Sequence, residues 1–120
     1  MNRQKIIDFI KSEFGVSEEH LWMSYPDYAV FRNGRNKKWF AVVMDIEKRK
    51  LGLEGSERID VINLKCDPIL IGSLRLNEGF FPAYHMSKDK WISVLLDGTV
   101  PENEIKDLIH LSYELIDKKR

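Results

Sequence analysis

Ser87, His85 and Asp89 lie together in one short stretch, Tyr84-His85-Met86-Ser87-Lys88-Asp89-Lys90-Trp91. A serine, an imidazole and a carboxylate are the parts of an acyl-transfer triad: the imidazole takes the hydroxyl proton and the carboxylate fixes its tautomer. A triad is defined by geometry, however, and neighbours along a chain do not converge by being neighbours. Ser87-Lys88-Asp89-Lys90 also fits the Ser-x-x-Lys acylation motif, but its companions Ser-Asp-Asn and Lys-Thr-Gly occur nowhere in the sequence. A charged turn accounts for these residues better than catalysis. His20, His85 and His110 show no metal-ligand spacing, and neither His-Glu-x-x-His nor Cys-x-x-Cys is present. Cys66 is the single cysteine, so no internal disulfide can form. No glycine-rich loop offers its amides to a phosphate. These residues predict no enzyme, no metal and no cofactor.

Binding chemistry is better represented. Arg32, Arg35, Lys37 and Lys38 gather between two strand-like runs, with no acid from position 32 to 44. Lys48-Arg49-Lys50 follow the second run, and Lys88 and Lys90 flank a later turn. Phe31, Trp39, Tyr84 and Trp91 interleave with these cations. Cationic hairpins with aromatic neighbours can contact phosphates and stack on bases. The same charges also solubilise hairpin tips and protect sheet edges. The chain has 19 basic and 19 acidic residues and a formal net charge of zero. A nucleic-acid surface would therefore require segregated charge rather than an overall excess.

These residues need elements to hold them. Ile6, Ile7, Ile10 and Phe14 form one apolar stripe and predict a helix over 3–14, with Asn2 at its start and Gly15 at its end. Residues 16–27 read as a polar linker broken by Pro26-Asp27, in which His20 is expected to be solvated. Tyr28–Arg32 and Lys38–Ile46 are predicted strands around the hairpin signal Asn33-Gly34. In the second, Phe40, Val42, Met44 and Ile46 share one face, and Trp39, Ala41, Val43 and Asp45 the other. A charged connection over 47–58 leads to a strand Ile59–Cys66, whose Ile62, Leu64 and Cys66 face the core. Cys66 then reads as a small buried hydrophobe. Asp67-Pro68 opens a helix to Leu76. Strands Phe80–Met86 and Trp91–Leu96 follow, with Pro82 marking an edge or bulge. A last helix spans about 100–118, with Thr99 and Glu102 as a capping box and Lys118-Lys119-Arg120 at the negative end of its dipole.

The order is α-β(3)-α-β(2)-α. It predicts an α+β fold: a two-layer sandwich with the helices on one face of a mostly antiparallel five-stranded sheet. Residues 1–120 suffice for one domain. The second sheet face is expected to be partly open, with Trp39, Val61, Asn63, Lys65, Trp91, Ser93 and Leu95 forming a contact surface, against the alternative of ordinary two-sided burial or a dimer seam. The composition, 43% hydrophobic and 32% charged, is that of a folded soluble domain. No apolar run is long enough to span a bilayer, and the N-terminus reads as an amphipathic helix rather than a signal peptide. The expected location is cytoplasmic.

Several segments resemble one family. They are Leu64-Lys65-Cys66-Asp67-Pro68, Pro82 to Trp91, Leu96-Asp97-Gly98, Val100-Pro101 and Ser112-Tyr113-Glu114-Leu115, supported by Tyr25-Pro26 and Val30-Phe31. Together they resemble the MmcQ/YjbR family of small bacterial proteins, over essentially the whole chain. The resemblance implies the same α-β(3)-α-β(2)-α order and a likeness to secretion chaperones. It also implies a DNA-binding role through a double-wing arrangement, and it carries no catalytic residues. The combined expectation is a non-enzymatic DNA-binding domain. Arg32, Arg35, Lys37, Lys38, Lys88 and Lys90 would contact phosphate, with Trp91 and Tyr84 bordering the site. The alternative is a protein-interaction module, chaperone-like or homodimeric, using the open sheet face. A small-molecule or enzymatic role would instead require a deep polar pocket near His85.

Overall fold

Why the chain folds as it does is clearest at its first helix. In the structure, a computed structural model describing residues 1–117, α1 runs Arg3–Phe14. Asn2 accepts the Lys5 amide, and Gly15 ends the helix in the left-handed region at φ 70°. Strands β1 (Ala29–Arg32), β2 (Trp39–Glu47) and β3 (Arg58–Lys65) follow, then α2 (Pro68–Leu74), β4 (Phe80–Pro82), β5 (Trp91–Leu95) and α3 (Glu102–Ile116). The charged connection after β2 begins with a short 3-10 helix, Lys48–Leu51. All pairings are antiparallel, in the order β1-β2-β3-β5-β4. The α+β order expected from the sequence is therefore the observed one.

The helices cover one sheet face. Ile6, Ile10, Ile105 and Ile109 are fully buried or nearly so against Phe31, Phe40, Val43, Ile62, Leu64 and Ile92. β2 departs from the expected alternation. Phe31 pairs with Ala41, but Arg32 pairs with Trp39, so Phe40 is the extra residue of a bulge. Phe40 and Ala41 consequently both join the helix-side core. Beyond the bulge, Val42, Met44 and Ile46 turn to the other face, the reverse of the reading that grouped them with Phe40. The bulge frees the Phe40 carbonyl, and Ser112 of α3 takes it. Its hydroxyl donates to Phe40 O (2.6 Å) and accepts the Lys65 amide (2.9 Å).

The second sheet face is not open. Tyr28, Val30, Val42, Met44, Val61 and Leu95 are buried there in a separate apolar cluster, roofed by Trp22, Trp39, Phe81, Tyr84 and Met86. β4 stops at Pro82, and residues 83–90 leave the sheet edge to cross this face, which is why the expected strand to Met86 does not form. Other ends shift as well. α2 closes at Leu74, and α3 begins at Glu102 behind Pro101, without a Thr99 cap. The Thr99 amide instead bonds Asp97 Oδ1 at 3.0 Å. Lys118-Lys119-Arg120 lie outside the described residues.

Candidate nucleic-acid interface and aromatic pocket

Strand register decides where the cations stand. Lys65 pairs with Trp91, the Cys66 amide bonds Lys90 O (2.9 Å), and Arg32 pairs with Trp39. The hairpin 33–38, the end of β3 and the start of β5 therefore share one end of the sheet. Lys37, Lys38, Lys65 and Lys90 all belong to it. The 48–58 connection lies at the opposite end, so Lys48-Arg49-Lys50 are not part of this group.

The two arginines are already committed. Arg32 Nε stands 3.1 Å from Glu19 Oε2, an ion pair without hydrogen-bond alignment. Its guanidinium carbon lies 5.9 Å from the Trp39 ring centroid. Arg35 reaches Asp117 at 2.7 Å through both carboxylate and backbone carbonyl. The sequence around the hairpin holds no acid, but tertiary structure brings two. The hairpin is tied further by Asn33, which is fully buried: its carbonyl accepts the Arg35 amide (2.7 Å) and its amide group bonds Asp117 (2.6 Å). Asn36 Nδ2 bonds the Ile116 carbonyl at 2.7 Å, satisfying the end of α3. The left-handed residue of this turn is Lys37, at φ 65°, rather than Gly34.

Lys37, Lys38 and Lys90 are exposed and make no ion pair with the described residues. Lys88 is exposed too, its Nζ donating to Ala83 O at 2.9 Å. Trp91 is 9% exposed, so its ring packs in the fold and does not offer a stacking surface. Tyr84 is half-buried, and its backbone is held by a polar pair beneath it. Ser93 Oγ accepts the Tyr84 amide (3.0 Å) and donates to Asn63 Oδ1, and Asn63 Nδ2 donates to Tyr84 O (2.9 Å). Asn63 and Ser93, expected on an open face, are fully buried and serve to anchor the crossing segment. Ser87, His85 and Asp89 do not assemble: the His85 ring lies against Tyr84, with centroids 3.9 Å apart. Burial and the neighbouring Asp67 charge push the Cys66 thiol pKa up despite an opposing backbone bond, which fits an inert buried side chain.

The crossing segment also closes a pocket. Trp22, Tyr25, Tyr28, Trp39, His85 and Met86 surround a cavity of about 160 Å³, with Val42 and Met44 beneath them. A concavity near His85 exists, as the small-molecule reading required, but it is aromatic rather than polar. Trp22 stands nearly perpendicular to Tyr28 (71°, 5.7 Å) and to Trp39 (78°, 5.8 Å), and Tyr25 stacks on Tyr28 at 4.8 Å. Burial, with smaller contributions from Tyr84, Tyr25 and Asp45, raises the Tyr28 pKa, so its phenol stays neutral. Residues 16–27 are thus no polar linker. Glu19 and Val30 exchange backbone hydrogen bonds at 2.9 Å. His20 Nδ1 lies 3.0 and 3.1 Å from the Pro26 and Tyr28 carbonyls, two acceptors that require the ring proton on Nδ1. The spacing of Trp22, Tyr25 and Tyr28 was the available sequence signal. A larger concavity of about 590 Å³ lies at the far end, between the 48–59 and 75–81 segments, where Lys48 and Arg75 mix with Glu54, Glu78 and Asp97.

The YjbR family model matches residues 12–115. The chain belongs to the YjbR family. Over 96% of its length it is 43% identical to the uncharacterised Bacillus subtilis protein YyaQ, covering 98% of that protein. It is 32% identical to the uncharacterised Escherichia coli protein YjbR, over 62% of this chain and 56% of that one. A crystal structure of a Pseudomonas syringae protein, 49% identical, superposes with a TM-score of 0.94 over 96% of this chain and 98% of that one. A Deinococcus radiodurans protein, 26% identical, gives 0.71 over 94% and 79%. The YjbR-family fold is thus shared at both close and distant identity. Among the described residues no helix is long and apolar enough to cross a membrane, and no His, Cys, Asp or Glu group is placed to hold a metal.

Proposed function

We propose that this protein is a binding domain, not an enzyme, and that it contacts the phosphate backbone of DNA through the lysine-bearing end of its sheet. The observation that carries this reading is the register. It gathers Lys37, Lys38, Lys65 and Lys90 at one end. Arg32 and Arg35 leave the contact set, because intramolecular carboxylates already neutralise them. Lys37 and Lys38 sit on the β1–β2 hairpin, whereas Lys88 bonds back to Ala83 O and lines a concavity with Lys50 and Leu51, so it joins the contact set less directly. Each neutralised phosphate releases counterions, so binding is expected to be salt-sensitive despite zero net charge. Trp91 has no direct part; it holds the start of β5 in register with Lys65.

Fluorescence titration of labelled duplex and single-stranded DNA tests the reading. Salt-sensitive binding at micromolar protein, lost in the Lys37→Glu plus Lys38→Glu variant, supports it. Binding indifferent to that variant, or none, removes it.

A protein-interaction role is the second reading. With the sheet face closed, it moves to the exposed side chains of the 21–25 segment, Leu21, Met23 and Tyr25, of which Met23 is 99% exposed. A strictly monomeric sedimentation profile would remove its homodimeric form.

A further inference from the structure

The aromatic pocket beneath the crossing segment is used by nothing in the phosphate reading. We infer that it is a seat for one flat, uncharged heteroaromatic ring, a pyrimidine nucleobase. This rests on the proposed nucleic-acid contact only for the source of the ring, not for its capture.

The size fits a single ring. An apolar cavity of about 150 Å³ is enough to hold benzene, and this one is about 160 Å³. A whole nucleotide would leave its sugar and phosphate outside. The chemistry of the walls fits too. Trp22 stands on edge to both Tyr28 and Trp39, so the pocket presents π faces at right angles. Stacking on such faces requires no particular base edge, and the volume selects a single-ring pyrimidine.

Perpendicular aromatic walls also suit a compact cation, but two observations disfavour one here. No carboxylate lines the pocket. The Arg32 guanidinium, paired with Glu19, already stands over Trp39, and the exposed Lys38 adjoins Trp39 along the chain, so an added cation would compete for that ring and meet like charge from Lys38. An anionic phosphate tethered to a neutral ring meets the opposite field.

The lining also includes side chains with polar groups for the edge of a base, the Trp22 and Trp39 indoles and the His85 imidazole. His85 sits at the rim in the left-handed region at φ 61°. A non-glycine residue in that region is strained, and the Tyr84 backbone anchored on Asn63 and Ser93 holds it there.

Tryptophan indole resonances test the inference directly. The chain has three tryptophans, of which Trp22 and Trp39 line the pocket and Trp91 is a buried control. The probes are thymidine monophosphate and a single-stranded oligothymidylate, followed by ¹H–¹⁵N spectra. The expected result is saturable shifts of the Trp22 and Trp39 indoles with both probes and none at Trp91. Trp22→Ala is expected to weaken binding about ten-fold, the scale of one base–aromatic stack. His85→Gly is expected to weaken it several-fold without loss of thermal stability, since glycine relieves the backbone; it keeps the test open if Trp22→Ala fails to fold. Shifts with the mononucleotide but no oligonucleotide binding would uphold the pocket and remove the nucleic-acid reading. Oligonucleotide binding that leaves both indoles unmoved would overturn the pocket and spare the lysines. No shift with either probe, or stronger shifts with tetramethylammonium, would overturn it as well.

Discussion

At the scale of the residue, the informative positions are small buried polar side chains rather than the charged ones that first draw notice. Ser112 was legible as part of the buried stripe of α3, but not as the group that satisfies a strand bulge. Its two partners sit on β2 and β3, far away in sequence. Ser112→Ala leaves the Lys65 amide and Phe40 carbonyl buried without it, and is expected to cost about 1–3 kcal/mol in urea denaturation. A loss within error of zero would mean that water or backbone shifts replace the hydroxyl. Asp97 gives a second expectation. Burial works to raise its pKa, but hydrogen bonds from the Thr99 side chain and backbone outweigh this and leave it lowered. A carboxylate with a folded pKa below its unfolded one adds stability that is complete above the unfolded pKa. That stability is lost as pH falls through the folded value. Asp97→Ala is therefore expected to flatten the acid limb of stability against pH, below the ordinary carboxylate range, and a parallel shift of the whole curve would contradict this.

At the scale of the element, the β1–β2 hairpin shows what sequence pattern can and cannot give. Asn33-Gly34 marked a turn correctly. The residue in the left-handed region is nonetheless Lys37, because Asn33 is spent on the Arg35 amide and on Asp117. Lys37 at φ 65° carries backbone strain that glycine would not. Lys37→Gly is expected to raise stability by about 1 kcal/mol while weakening any phosphate contact. Urea melts and a DNA titration on the same sample separate the two effects. The face assignments of β2 failed for a related reason. Alternation reads two faces correctly only while the ladder is unbroken, and one bulged residue, Phe40, exchanges them. Helix α1 was legible to the residue because its cap, stripe and terminal glycine are all local. The end of β4 was not, since what stops it is the Asn63–Ser93 pair drawing Tyr84 across the sheet.

At the scale of the whole molecule, a chain of zero net charge can still present a basic surface if tertiary contacts neutralise some cations and leave others free. The structure divides them that way: Arg32 and Arg35 are paired, whereas Lys37, Lys38 and Lys90 form no ion pair with the described residues. The composition of the cationic hairpin was legible in the sequence. Its partition was not, because Glu19 and Asp117 reach it only through the fold. The same holds for the pocket, whose aromatic residues come from three separate segments. Family and element order, by contrast, could be read from the C-terminal motifs and from hydrophobic periodicity.

The most direct test of the proposed function is the salt dependence of DNA binding. Duplex titrations from low to physiological salt are expected to give a log K that falls linearly with log salt. The slope is expected to be roughly −3 to −4, close to one ion per phosphate-bound lysine. Lys37→Glu plus Lys38→Glu is expected to lower the affinity at least ten-fold and make the slope shallower by about two. Binding with no salt dependence, or a slope unchanged in that variant, would contradict the assignment of this end of the sheet to nucleic acid.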